Sequence, residues 1–137
     1  MLRIALRVAV GLVVVLLGIG ALEIVAAESG EVVVLRTTDA AGATHETRLW
    51  VVDDGGRTWL RAGSDAARWY RLLVERPDVE VQRGEQTLVV RAVPDVVARE
   101  RVNELMRAKY GWADAYISLL FGRDDAVPIR LEPRPEP

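Results

Sequence analysis

The sequence predicts an α+β domain, mainly antiparallel β, that closes fully or partly into a barrel behind one hydrophobic N-terminal helix. Three observations carry this prediction. Short β-branched runs are joined by turns too tight for parallel crossovers. Helical spacing replaces strand alternation in two places, after residue 64 and after residue 95. The first thirty residues hold one long stretch without charge.

That stretch comes first in the chain. Arg3 and Arg7 precede an uncharged run from Val8 to Leu22; Glu23 interrupts it, and Ile24 to Ala27 extend it. The run alone, about 15 residues, suits the apolar part of a secretion signal. With its extension, about 20 residues, it suits a membrane span. Val25-Ala26-Ala27 offers the small residues of a cleavage site. The expectation is a single-pass anchor, with a cleaved signal and a surface-lying helix as alternatives. Arg3 and Arg7 favour an inside N-terminus, yet Arg36 and Arg48 follow the helix closely, so the membrane face stays open.

Glu31 to Thr38 is a β-branched run and predicts the first strand. Asp39 to Ala43 is a turn, and His45 to Asp53 the second strand. Asp54-Gly55-Gly56 is a strong hairpin signal, because glycine takes positive φ without steric cost. Arg57 to Gly63 follows as the third strand. Ser64 or Asp65 can cap a helix running to about Arg76, with Trp69, Leu72 and Leu73 on one face. Pro77 ends it. Val79 to Arg83 and Gln86 to Val93 form a second hairpin across Gly84-Glu85. Pro94-Asp95 opens a helix with Val97, Val102, Leu105 and Met106 in step. Gly111 breaks it, and Trp112 to Phe121 forms another helical piece. Val127 to Glu132 is the last strand. The expected organisation is an anchor or signal over residues 1–29, a barrel domain over 30–133 and a flexible tail over 134–137.

Composition removes several chemistries. The chain has 137 residues, a net charge of −2, no cysteine and one histidine. Its charge gives no reason to expect nucleic acid. Thiolate sites and multi-histidine zinc sites are excluded, and no metal site is expected. His45 reads as a solvated side chain. Asp53-Asp54 and Asp124-Asp125 read as turn chemistry. No nucleophile–base pair, P-loop or dinucleotide fingerprint is present, so a bound cofactor would carry any reaction.

Two places invite a ligand. At Arg61-Ala62-Gly63-Ser64-Asp65 a strand ends and a helix is expected to start. Free amides at a helix N-terminus attract anions, and Gly63 permits close approach to the backbone. Arg61, Ser64 and Arg68 can add charge and hydrogen bonds. Ordinary capping explains the same residues, and Asp65 would repel an anion. The second place is the aromatic set of Trp50, Trp59, Trp69, Tyr70, Tyr110, Trp112 and Tyr116, which can wall a pocket for a flat ligand or simply fill the core.

Several strings in order resemble a known superfamily. These are Leu49 to Arg57, Ala62-Gly63-Ser64, Trp69-Tyr70, Pro77 to Val81, and Val127 to Pro133. They resemble the FMN-binding-type split β-barrel flavoproteins, and within them the deazaflavin (coenzyme F420)-dependent nitroreductase and quinone reductase family. The resemblance spans about residues 31–133. It implies a split barrel that binds FMN or the deazaflavin, with cofactor contacts at Arg61, Gly63, Ser64, Arg68, Trp69 and Trp50. It also implies catalytic tyrosines over the substrate, at Tyr110 and Tyr116. Ala113 stands where a further tyrosine is expected. Asp39 to Gly42 and Asp65 stand where basic residues are usual in that family, which leaves FMN, another flat ligand or no cofactor in play. The leading expectation is a membrane-anchored oxidoreductase passing a hydride to a quinone-like or nitro-aromatic acceptor, with a homodimer as a fold-level analogy. The rival is a non-catalytic barrel that has lost its cofactor. A haem-binding barrel is a third reading and would need His45 or one of the two methionines as axial ligand.

Overall fold

The computed structural model describes residues 1–27 and 30–134. Helix α1 (Leu2–Ala27) precedes β1 (Val32–Thr38), β2 (Thr44–Trp50), β3 (Val52–Asp54) and β4 (Arg57–Ala62). Then come α2 (Arg68–Glu75), β5 (Asp78–Arg83), β6 (Gln86–Pro94), a 3-10 turn (Val96–Ala98), α3 (Arg99–Tyr110), α4 (Trp112–Phe121) and β7 (Val127–Pro133). The expected boundary after residue 29 and the tail residues 135–137 lie outside the described residues.

The seven strands form one sheet in the order β2-β1-β5-β6-β7-β4-β3, with every neighbouring pair antiparallel. The two edge strands, β2 and β3, are consecutive in the chain and separated only by Val51. The chain therefore steps from one edge of the sheet to the other within a residue. That step requires the sheet to curl until its edges meet, which makes a barrel with a seam at Val51.

Strand alternation sorts the side chains. Val33, Leu35, Leu60, Val79, Val81, Ile129 and Leu131 point inward and form the barrel core, and Leu73 of α2 packs into it. Outside the barrel, α3 covers β3 and β4. There Val102, Met106 and Tyr110 pack on Val52 and Trp59. The Gly55-Gly56 turn between β3 and β4 has φ of +58° and +80°, as a two-residue hairpin of the type I′ kind requires.

Three element expectations need adjustment. The predicted second strand, 45–53, is two strands, because Val51 belongs to neither ladder. The helix predicted from Ser64 or Asp65 starts at Arg68, and its preceding residue, Ala67, gives no side-chain cap. The Ser64 hydroxyl instead accepts from the Ala66 N–H at 3.2 Å, closing a local turn that competes with helix. Finally, β6 runs through Pro94, and Asp95 caps the 3-10 turn by accepting from the Val97 N–H at 3.1 Å.

Candidate functional site

Outward-facing residues of β2 and β4 meet α3 and α4 over a small open hollow of about 160 Å³. It is lined by Arg48, Leu49 and Trp50 from β2, Arg61 from β4, Gly63, Met106 of α3, Ile117 of α4, and Arg123. Arg61 points here because Leu60 and Ala62 take the inward positions of β4.

Electrostatics set this corner apart. The Arg61 and Arg123 guanidinium groups both donate to Asp114 Oδ1, at 2.6 and 3.1 Å. Arg61 also donates to Asn103 Oδ1 at 3.2 Å, and Arg123 to Ser118 Oγ at 3.0 Å. The Arg61 side chain is 5% exposed, that of Arg123 13%, and that of Asp114 1%. Two buried cations thus share one carboxylate, and Arg48 adds a third at the rim. Burial pushes the pKa of both buried guanidinium groups down; Arg123 adds to the effect on Arg61, while Asp114 opposes it. Both remain charged, since guanidinium is not deprotonated in proteins. Among the described residues, Arg61 and Arg123 thus carry one positive charge more than Asp114 offsets, in a partly buried setting where an incoming anion would be stabilised. A phosphate group has the opposite sign, and its oxygens can accept from the planar guanidinium N–H groups.

The expected site residues divide three ways. Arg61, Gly63 and Trp50 meet at the hollow. Ser64 lines a separate, open depression with Asp65, Tyr70, Arg99 and Asp125. Arg68 and Trp69 line another, beside His45 and Glu46. The structure does not bring these three to the hollow, because the chain turns away after Gly63 before α2 begins.

Neither expected catalytic tyrosine lines the hollow. Tyr110 stacks on Trp50, with ring centroids 4.3 Å apart and planes 9° apart. Its hydroxyl donates to the Glu31 carbonyl at 2.6 Å and accepts from the Val51 N–H at 2.9 Å. Lys109 donates to the Val51 carbonyl at 2.7 Å. Side chains from α3 thereby satisfy the seam residue on both sides, as a buried peptide group requires. Burial raises the Tyr110 pKa, which makes it a weaker acid. The Tyr116 hydroxyl donates to the Ile19 carbonyl of α1 at 3.0 Å.

Sequence reasoning missed Arg48, Arg123 and Asp114. Asp114 left a usable trace, as a lone acid in the otherwise uncharged string Trp112 to Phe121, and such an acid calls for a buried cation. Arg123 lies beyond the helix in sequence and left none. His45 pairs with Asp39, Nε2 to Oδ2 at 2.7 Å, in the first hairpin turn. Among the described residues no cluster of three or more potential metal ligands occurs.

No family model matches the sequence, and no curated protein sequence does. Solved structures do resemble it. An F420-H2-dependent reductase is 25% identical at a TM-score of 0.57, over 73% of this chain and 93% of that one. The haem storage protein HutZ from Vibrio cholerae is 20% identical at 0.59, over 81% and 87%. A domain-swapped dimer is 23% identical at 0.59, over 74% and 80%. What these likenesses share with the present chain is the curled antiparallel sheet with its covering helices, and on that ground the fold is a split β-barrel.

Proposed function

We propose that this chain is a membrane-anchored oxidoreductase that uses a flavin or the deazaflavin F420 to reduce a quinone-like or nitro-aromatic acceptor. The observation that carries the reading is the hollow at Arg61, where two buried arginines share one carboxylate beside Gly63 and Trp50. Arg61, Arg123 and Arg48 would hold the phosphorylated end of the cofactor. Gly63 leaves the backbone open to it, and Trp50 offers a ring edge beside it. At about 160 Å³ the hollow suits that end and not the whole tricyclic ring, which would lie outside it. When bound, such a group supplies a hydride, and a quinone taking that hydride with one proton becomes a hydroquinone. Support comes from the split-barrel fold, which this chain shares with an F420-H2-dependent reductase, and from α1, which is long and apolar enough to cross a membrane.

Titration of the full-length protein with FMN and with F420, followed by absorbance and fluorescence, tests this directly. Binding of one of them at micromolar concentration or tighter is expected, weakened at least tenfold by Arg123→Gln, since an anion-paired arginine contributes about 1.5–3 kcal/mol. No binding of either would defeat the enzyme reading.

One observation favours the rival, a barrel without a cofactor. The barrel interior is filled by its own side chains, and the hollow is smaller than common small-molecule sites. The same titration separates the two. The haem reading needs an axial ligand from His45, whose Nε2 is held by Asp39 Oδ2, or from a methionine, and absence of a Soret band on haem addition to the wild type removes it.

A further inference from the structure

From the exposed face of α4 we infer that this helix lies in the membrane interface beside α1, so that the barrel rests on the lipid surface and does not swing free on its anchor. The inference rests on the reading of α1 as a membrane span.

Helix α4 is inside out. Its domain-facing side carries Ala113, Asp114, Ile117 and Ser118, with Asp114 neutralised by Arg61 and Arg123. Its solvent side carries Trp112, Ala115, Tyr116, Leu119 and Leu120, with no charged residue among them. Leu119 is 83% exposed, Phe121 67% and Trp112 54%. A helix at a water-facing surface shows the opposite pattern, polar out and apolar in. A continuous apolar face of this kind marks a surface with a partner.

The position of α4 identifies that partner as lipid. Helix α4 packs against α1, and the Tyr116 hydroxyl donates to the Ile19 carbonyl at 3.0 Å. Ile19 precedes Glu23 by four residues, about 6 Å along the helix axis. Glu23 is the first charge after the apolar run and belongs near the polar boundary of a bilayer. Tyr116 then sits about 6 Å below that boundary, within the 5–10 Å to which interfacial helices sink. Trp112 and Tyr116 are the residue types that favour this level. If α1 spans the bilayer, its contact with α4 brings the exposed face that carries Leu119 to the level of the lipid. Ile117 also walls the hollow from the other side of the same helix. An acceptor dissolved in the membrane would therefore meet α4 before it met bulk water.

The chain has no cysteine, so single-cysteine variants report one position each. The full-length protein is reconstituted in phosphatidylcholine–phosphatidylglycerol vesicles with a nitroxide at Leu119→Cys, at Val14→Cys within α1, or at Val97→Cys in the exposed 3-10 turn. Collision rates with oxygen and with a water-soluble nickel chelate are measured. The expected oxygen-to-nickel ratio at position 119 is several-fold that at 97 and approaches that at 14. A ratio at 119 equal to that at 97, with 14 buried in lipid, overturns the inference and leaves the anchor standing. A water-like ratio at 14 removes the anchor and the inference together. Spin–spin broadening at 119, with both quenchers excluded, would show a second copy covering the face and would also overturn it.

Discussion

Tyr110 carries its hydroxyl to Val51, the residue lying between the ladders of β2 and β3. Tyr110→Phe keeps the stack on Trp50 but leaves a buried amide unpaired, and should cost about 1–3 kcal/mol in urea denaturation. A loss near zero would mean that water replaces the hydroxyl. The backbone of Gly30, at φ +74°, passes the Tyr110 ring so closely that an added Cβ would meet it at 3.0 Å. Gly30→Ala should therefore destabilise as well, through strain at that φ and displacement of the ring. Asp114→Asn tests the other buried group. It leaves two arginines without a counter-ion and should cost about 3–5 kcal/mol. Inorganic phosphate should recover part of that loss, seen as a larger rise in melting temperature on adding phosphate for the variant than for wild type.

At the level of elements, charge pairs tie the start of β1 to β3, β5 and α3. Arg83 on β5 bonds Glu31 at 2.9 Å and Asp53 at 2.7 Å, and Lys109 on α3 reaches Glu31 at 2.7 Å. The Arg83 hydrogen bond, with that of Lys109 second, lowers the Glu31 pKa from 4.5 to about 2. Arg83 likewise brings Asp53 from 3.8 to about 2. Both folded values lie below the unfolded ones. The pairing therefore stabilises fully above about pH 5 and is lost as the pH falls toward 2. These side chains are partly exposed, so solvent screening keeps the contribution modest. Arg83→Met should lower stability at neutral pH and flatten the decline between pH 5 and 2, measured by denaturant midpoints across that range. An unchanged acid profile would show that other carboxylates govern it.

For the whole molecule, closure depends on strands distant in sequence. β7 lies between β6 and β4 and hydrogen-bonds both. Without it, β3 and β4 lose their link to the rest of the sheet, and Ile129 and Leu131 leave the core. A chain ending at Asp125 should show no cooperative unfolding transition by circular dichroism, whereas removal of the tail from Arg134 should leave the transition in place. Pairings of this range also make folding slow, on the millisecond-to-second scale typical of barrels.

The sequence by itself determined the element order, the hairpins and the apolar first helix. These follow from local causes: β-branched alternation, the positive φ of Gly55 and Gly56, and an uninterrupted run from Val8 to Leu22. It also marked Arg61, Gly63 and Trp50 as residues of interest, and all three line the hollow. Only the tertiary structure decided what surrounds them. The seam at Val51 exists because the two sheet edges meet, so Tyr110 satisfies a peptide group and does not line the hollow. Arg61 reaches Asp114 because α4 lies over β4, a contact that no spacing along the chain encodes. Alternation and turn preference act between neighbours in sequence, whereas buried charge pairing acts between neighbours in space, and those come into being only when the sheet curls shut.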